Sequence, residues 1–320
     1  MQFPIPVVGA CRLDDRGVIR ASGAGAATFL QGQLTNDIAS LGSGQARLAG
    51  FCSAKGRLQA SFIIWREGAD GFLLTCSGSL LAATLKRLSM FVLRAKCKLS
   101  DASAEVALWG VAGAPAVALL GDAAVWSRLE RGPGVAIRVP DAAGLKRCLV
   151  AAPVGAEVAG VTTTQTLSLD AWHWLDVQSG VVSIDATTVD RFVPQMVNFE
   201  LVGGVDFQKG CYPGQEVVAR SQYRGTTKRR TFLFDCDEIP APGQDVFAAA
   251  PDGAGAADPE AAGTVANAAP HPFKPGGSTL VEVRLAALGK GELRLGAPDG
   301  PLLTRVELPY PVTLEAEPAL

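Results

Sequence analysis

The sequence predicts an α+β chain of several modules that closes with a small C-terminal antiparallel β-barrel. Three observations predict it. At 320 residues the chain exceeds what one hydrophobic core ordinarily supports. Strand-like and helix-like patterns alternate irregularly through its first two thirds. After Arg230 the character changes to short alternating runs, beginning with TFLFDC and ending near ELPYPV, separated by frequent Gly and Pro.

Taken in order, a first strand is expected near Gly17 to Ala21, with Ser22 capping a helix that carries Phe29, Leu30 and Leu34 on one side. Gln31, Gln33, Thr35, Asn36 and Asp37 then form a polar helix end. Residues 51–76 read as a hairpin whose turn is EGADG, and Lys55 and Arg57 make an exposed basic turn before it. From Ser79 a helix buries Leu81, Leu85, Leu88 and Val92 as one stripe and turns Lys86 and Arg87 outward. The uncharged run Val106 to Gly121 is broken by glycines and Pro115, so it reads as buried strands and a turn, too interrupted to span a bilayer. Strands and loops continue to about residue 160. A strand and turn then lead into the helix AWHWLDVQSGVV, whose Trp172 and Trp174 suit a wall or core. The segment DGAGAADPEAA, residues 252–262, is expected to be an exposed loop within the C-terminal module.

Composition excludes several function classes. With 48% hydrophobic and 19% charged residues the chain is globular, and a net charge of −2 makes no global demand for nucleic acid. Seven cysteines stand singly, the closest pair being Cys76 and Cys97, so there is no CxxC redox pair or zinc knuckle. Isolated thiols suit a reducing cytoplasm. Two histidines exclude a histidine-rich metal site. The N-terminal MQFPIPVVGACRLDD has neither a basic lead nor a long apolar run, so a cytoplasmic protein with no membrane partner is expected.

Charge and chemistry concentrate in FQKGCYPGQEVVARSQYRGTTKRR, residues 207–230. Six cations, Lys209, Arg220, Arg224, Lys228, Arg229 and Arg230, face Glu216 alone, which gives +6 − 1 = +5 against −2 − 5 = −7 for the remainder. Such a strip fits an anionic partner. Cys211 lies two residues after Lys209, whose charge favours a thiolate. Pro213 and Gly214 open a short helix that ends at Gly225, and along it Glu216 and Arg220 are spaced to pair.

The stretch KGCYPGQE, followed by VAR, YRG and KRR, resembles the signature of the YgfZ-type folate-binding proteins, relatives of the glycine-cleavage aminomethyltransferase (T-protein). FLQGQ at residues 29–33 resembles an element near the start of those chains, and Pro194, Gln195 and Asn198 match a further PQ-and-N pattern. The resemblance implies three modules in a ring around a central folate cavity. The division expected is 1–50 with 155–230 as a discontinuous folate-cavity domain carrying KGCYPGQE, 51–154 as a second α+β domain, and 231–320 as the barrel. It also implies a tetrahydrofolate-binding accessory protein for assembly or repair of iron–sulfur client enzymes, linked to tRNA modification. In that reading Cys211 is the redox or thiol-exchange residue. Lys209, Arg220 and Arg224 hold an anionic group such as the folate glutamate tail, Tyr212, Gln215 and Glu216 shape the pocket, and Asn36 and Asn198 join the folate-binding set. Gln178 occupies the place of a pterin-gripping glutamate, with one amide donor and one acceptor to offer. Two alternatives stand beside it. A folate-dependent aminomethyl transferase is opposed by Ala60 and Ser61, which occupy the place of an acid linked to one-carbon transfer. An RNA-contacting module would set Arg220 to Arg230 on phosphates.

Overall fold

A computed structural model of the protein describes residues 4–162, 164–223, 227–248, 261–288 and 291–312. Strand β1, Gly9–Arg12, precedes β2, Arg16–Ser22, and helix α1, Ala26–Gln31. Ser22 therefore ends a strand. The N-cap position is held by Gly25 without a side-chain bond. Gly23, at φ 112°, supplies the sharp bend between the two, where a Cβ would stand 2.5 Å from the Lys96 carbonyl oxygen. Strand β3, Ala46–Cys52, leads to the expected hairpin of β4, Leu58–Glu67, and β5, Gly71–Ser77.

Helix α2, Gly78–Val92, is as expected in extent but not in facing: Leu80, Thr84 and Leu88 are buried, and Leu81, Leu85 and Val92 only half-buried. The buried stripe is turned by one residue, with Leu81 at its edge packed beside β2, its Cδ2 2.8 Å from where a Gly17 Cβ would lie. After β6, Lys98–Asp101, and β7, Val106–Ala112, the second half of the apolar run forms helix α3, Ala114–Leu120, rather than strand and turn. Pro115 lies in its first turn, where a missing N–H costs nothing. Strands β8, Arg128–Arg131, β9, Gly134–Ala142, and β10, Leu145–Pro153, follow. Helix α4, Leu169–Gln178, is capped by the Ser168 hydroxyl, which accepts from the Ala171 amide at 3.1 Å. A 3-10 turn spans Pro194–Val197, and α5 spans Gln215–Tyr223. The C-terminal strands are β11, Arg229–Cys236, β12, Asp245–Ala248, β13, Gly263–Pro270, β14, Gly277–Arg284, β15, Leu293–Leu295, and β16, Thr304–Val306. All but the last two residues of the expected loop 252–262 fall outside the described residues.

The strands form three antiparallel sheets, in the orders β3-β4-β5-β2-β6, β1-β7-β10-β9-β8 and β15-β12-β13-β14-β11-β16. The C-terminal strands thus appear as one six-stranded sheet with β15 and β16 at its edges, where the sequence suggested a barrel. Residues 50 and 51, an expected domain boundary, are neighbours inside β3, and the boundary near 230 falls inside β11. Register follows the period of two: Ile19 faces Leu74 and Leu74 faces Ile64, a fully buried row across the first sheet. Helix α4 is buried almost all round through Ala171, Trp172, Trp174, Leu175 and Val177. Trp172 lies against Gly110 of β7, while the Trp174 indole N–H donates to the Ser278 hydroxyl of β14 at 3.0 Å. One helix therefore ties the second sheet to the third. No helix among the described residues is long and apolar enough to cross a membrane.

Candidate functional site

A cavity of about 270 Å³ opens where the three sheets meet α4. Leu48, Phe62 and Thr75 come from the first sheet, Val139, Arg147 and Leu149 from the second, Asn267 and Ala268 from the third, and Trp172, His173, Asp176 and Val177 from α4. On α4 the spacing from 172 to 176 is one helical turn, which sets Trp172 and Asp176 on one face. Arg147 is 1% exposed and donates to Asp176 at 2.8 Å, with its guanidinium 4.8 Å above the Trp172 ring. Arg16 reaches the other carboxylate oxygen at 3.2 Å. Trp172 therefore stacks on an arginine of the chain itself.

Beside this cluster, His173 Nε2 lies 2.9 Å from Asp15 Oδ2. Burial by itself would depress the histidine, but the bond to Asp15 and the charges of Asp176 and Asp15 outweigh it and raise its pKa. Burial would likewise raise the Asp15 carboxyl, and the His173 bond with the Arg16 charge brings it below the usual range. Two buried polar atoms on the cavity lining, Trp172 Nε1 and Thr75 Oγ1, have no hydrogen-bond partner among the described residues. Trp126, also on the lining, is held at φ 68°, costly for a bulky side chain. Its amide donates to Arg138 O and its carbonyl accepts from Ala46, both at 2.8 Å. Ser61 lies in the wall, its hydroxyl accepting from the Ile184 amide at 2.9 Å.

Of the residues expected at the site, none with a described position lines this cavity. The signature instead docks on the first sheet and α1. Lys209 is 9% exposed, and its ammonium donates to the carbonyls of Gln31 and, at 2.6 Å, Leu34, with Tyr212 beneath it at 4.9 Å. Burial pulls Lys209 down to about 8, against the opposing charges of Asp37, Asp206 and Cys211. Lys209 is thus a latch on the end of α1, and its ammonium is taken up by carbonyls rather than presented to an anion. Burial raises the Tyr212 hydroxyl as well. At Gly214, φ 79°, a Cβ would stand 2.6 Å from Gly56, so the PG turn seats directly on the β3–β4 connection. Asn36 joins the same region, its amide donating to Leu48 O and Gly203 O, each at 2.7 Å. Asn198 lies apart in a left-handed conformation and donates to Thr231 O at 2.7 Å. Gln178 is half-buried at the end of α4 and is not itself in the lining, though its neighbours Val177 and Ser179 are. Gln215 is half-buried, Glu216 and Arg220 pair in the open at 2.7 Å, and Arg224 lies outside the described residues.

All seven cysteines are described, and Cys211 is the exposed one. Burial pushes Cys11, Cys52, Cys76 and Cys148 up to about 12. The basic strip is largely answered from elsewhere in the chain. Arg229 pairs with buried Glu282 at 3.0 Å and Arg230 with Glu200, while Lys228 stays exposed. The +5 counted along the sequence is therefore not a free surface charge. Asp15, Thr75, Trp126 and Arg147 escaped the sequence reading because they are far apart in the chain. The signal on α4 was Trp172, His173 and Asp176 within one turn.

The three antiparallel sheets have the fold of the glycine-cleavage aminomethyltransferases, by likeness to a solved member. The GCVT N-terminal domain model matches residues 7–131. The aminomethyltransferase T of Bartonella henselae shares the fold with a TM-score of 0.71 over 93% of this chain and 84% of that one, at 17% identity. Within the class, the chain is 35% identical to the tRNA-modifying protein YgfZ of Edwardsiella ictaluri (strain 93-146), over 73% of its own length and 74% of the relative's. It is 31% identical, over the same shares, to that of Cronobacter sakazakii (strain ATCC BAA-894). The chain belongs to the YgfZ family.

Proposed function

We propose that the chain binds tetrahydrofolate in the cavity between its sheets and acts in the cytoplasm as an accessory factor for iron–sulfur enzymes linked to tRNA modification, with Cys211 as its thiol-exchange residue. One observation carries the folate reading: Trp172 Nε1 of α4 and Thr75 Oγ1 of the first sheet, both residues of the cavity lining, are buried without partners among the described residues. Unpaired buried groups are costly, and a flat heterocycle with nitrogen and oxygen atoms on its rim satisfies them. Phe62 and Trp126 would flank such a ring, beside the Arg16–Asp176–Arg147 cluster. When bound, tetrahydrofolate supplies a reduced pterin able to carry a one-carbon unit, while the chain's residues bind it, orient it and exclude water.

The link to tRNA modification is supported by the names of the relatives. The thiol role is supported by exposure, since Cys211 alone among the seven cysteines is open to a client protein. The transferase reading is weaker on the geometry. Ser61 brings no carboxylate, and its hydroxyl is engaged with Ile184. Asp15 and Asp176 are held by His173 and by two arginines, and Asp185 is spent on Thr187 and Thr188. No cavity carboxylate is left to move a proton.

Calorimetric titration of tetrahydrofolate into wild type, Cys211→Ala and Trp172→Phe tests this. Wild type and Cys211→Ala should bind alike, and Trp172→Phe, which keeps the ring under Arg147 but removes the N–H, should bind about three- to tenfold more weakly. No binding by wild type would overturn the folate reading.

A further inference from the structure

Most of the cations that remain unpaired among the described residues cluster in a segment the signature does not touch. From Lys86 to Lys98 the chain reads KRLSMFVLRAKCK, with Lys86, Arg87, Arg94, Lys96 and Lys98 and no acid. That is +5, against −2 − 5 = −7 for the rest of the chain. All five are exposed, and none makes a side-chain hydrogen bond, ion pair or ring contact among the described residues. Among them stand Met90, 66% exposed, Phe91, 43%, and Leu93, 86%, the last being the most exposed large apolar residue described. Leu93 closes α2 at φ 39°, a backbone position that glycine fills at no cost. An exposed leucine in a strained helix cap, with unanswered cations on either side of it in the chain, is expensive for the isolated fold.

We propose that this tip, formed by the last turn of α2, its exit loop and the start of β6, is a docking surface for RNA with unstacked loop bases. The proposal rests on the tRNA-modification link above and deepens it by naming the contact surface. Five cations suit phosphates, Phe91 offers a ring face for stacking, and Met90 and Leu93 are the kind of apolar side chains that wedge beside bases. The outward face of α2 argues against a lipid surface. It carries Ser79, Ala82, Ala83, Lys86, Arg87 and Ser89 before Met90, so no apolar stripe runs along it for in-plane insertion.

The test is fluorescence anisotropy of a labelled, unmodified tRNA transcript with the full chain across a salt series. Five phosphate contacts on single-stranded segments predict a slope of about −3.5 in log K against log salt, or about a hundredfold loss between about 50 and 200 mM. Lys86→Gln/Arg87→Gln should flatten the slope by about 1.4. Phe91→Ala should lose about tenfold with the slope unchanged. Lys228→Gln should match wild type. Lost tRNA binding with an unchanged melting curve and tetrahydrofolate titration supports the proposal, and the titration reads the cavity separately, so either reading can fail alone. Absent or salt-insensitive binding, full binding by both tip variants, or equal affinity for a blunt RNA duplex would overturn it. So would binding to phosphatidylglycerol vesicles without binding to tRNA.

Discussion

Lys209→Met isolates the work of the signature lysine. Methionine keeps most of the apolar stem and removes the ammonium that bonds the carbonyls of Gln31 and Leu34. Those carbonyls lie at the end of α1 and just beyond it, and one left buried without a partner costs about 1–3 kcal/mol. Two such losses, offset by no longer burying a charge, give a net destabilisation of about 3 kcal/mol. For a chain of this size that lowers the melting temperature by about 6 °C. Because the latch joins residue 209 to the end of α1, the loss should be local. Scanning calorimetry reads the global shift, and hydrogen exchange should show faster opening from Gly210 to Tyr212. Tetrahydrofolate affinity should hold, since Lys209 does not line the cavity. A melting temperature within about 1 °C of wild type, with protection at 210–212 unchanged, would refute the latch.

Further outcomes follow from the cavity and its supports. The raised pKa of His173 means that the fold favours its charged form. That stability is fully present below the ordinary value of 6.5 and is lost as pH rises through the folded value. Melting curves between about pH 6 and 8 should therefore fall more steeply for wild type than for His173→Gln; identical slopes would dissociate the Asp15 pair from stability. Gly110→Ala would set a Cβ 2.5 Å from Trp172 Cε3, and an unfolding free energy in urea lowered by about 3 kcal/mol is expected, with folate binding lost. Arg147→Met leaves Asp176 with Arg16 alone and should cost about 3 kcal/mol by urea denaturation; a neutral result would show that the pair across Trp172 is dispensable. Cys211→Ala should bind tetrahydrofolate normally yet lose support of iron–sulfur enzyme activity in cells; retained activity would exclude the thiol role.

Local patterns were legible wherever the physics is local. The hairpin at 51–76 follows from a Gly-containing turn between apolar runs, α4 from its apolar, aromatic content, and the Glu216–Arg220 pair from its spacing. The family was legible too, because KGCYPGQE is one uninterrupted stretch. The misread elements are those in which a neighbour decides. Pro115 resembled a breaker but stands in the first turn of α3, and the buried face of α2 is turned by a one-residue rotation toward β2.

The sequence by itself determined many of the strands and helices, the family, and a thiol set among basic residues. Tertiary structure alone decided which charges are free and where the cavity lies. Charge along a sequence adds without regard to partners, whereas Glu200 and Glu282 neutralise Arg230 and Arg229 only when the fold brings them together, leaving 86–98 as the densest run of unanswered cations among the described residues. The cavity likewise needs Asp15, Thr75, Arg147, Trp172 and Asn267 at one point. No local period encodes that meeting, since it is set by how three sheets pack against a single buried helix.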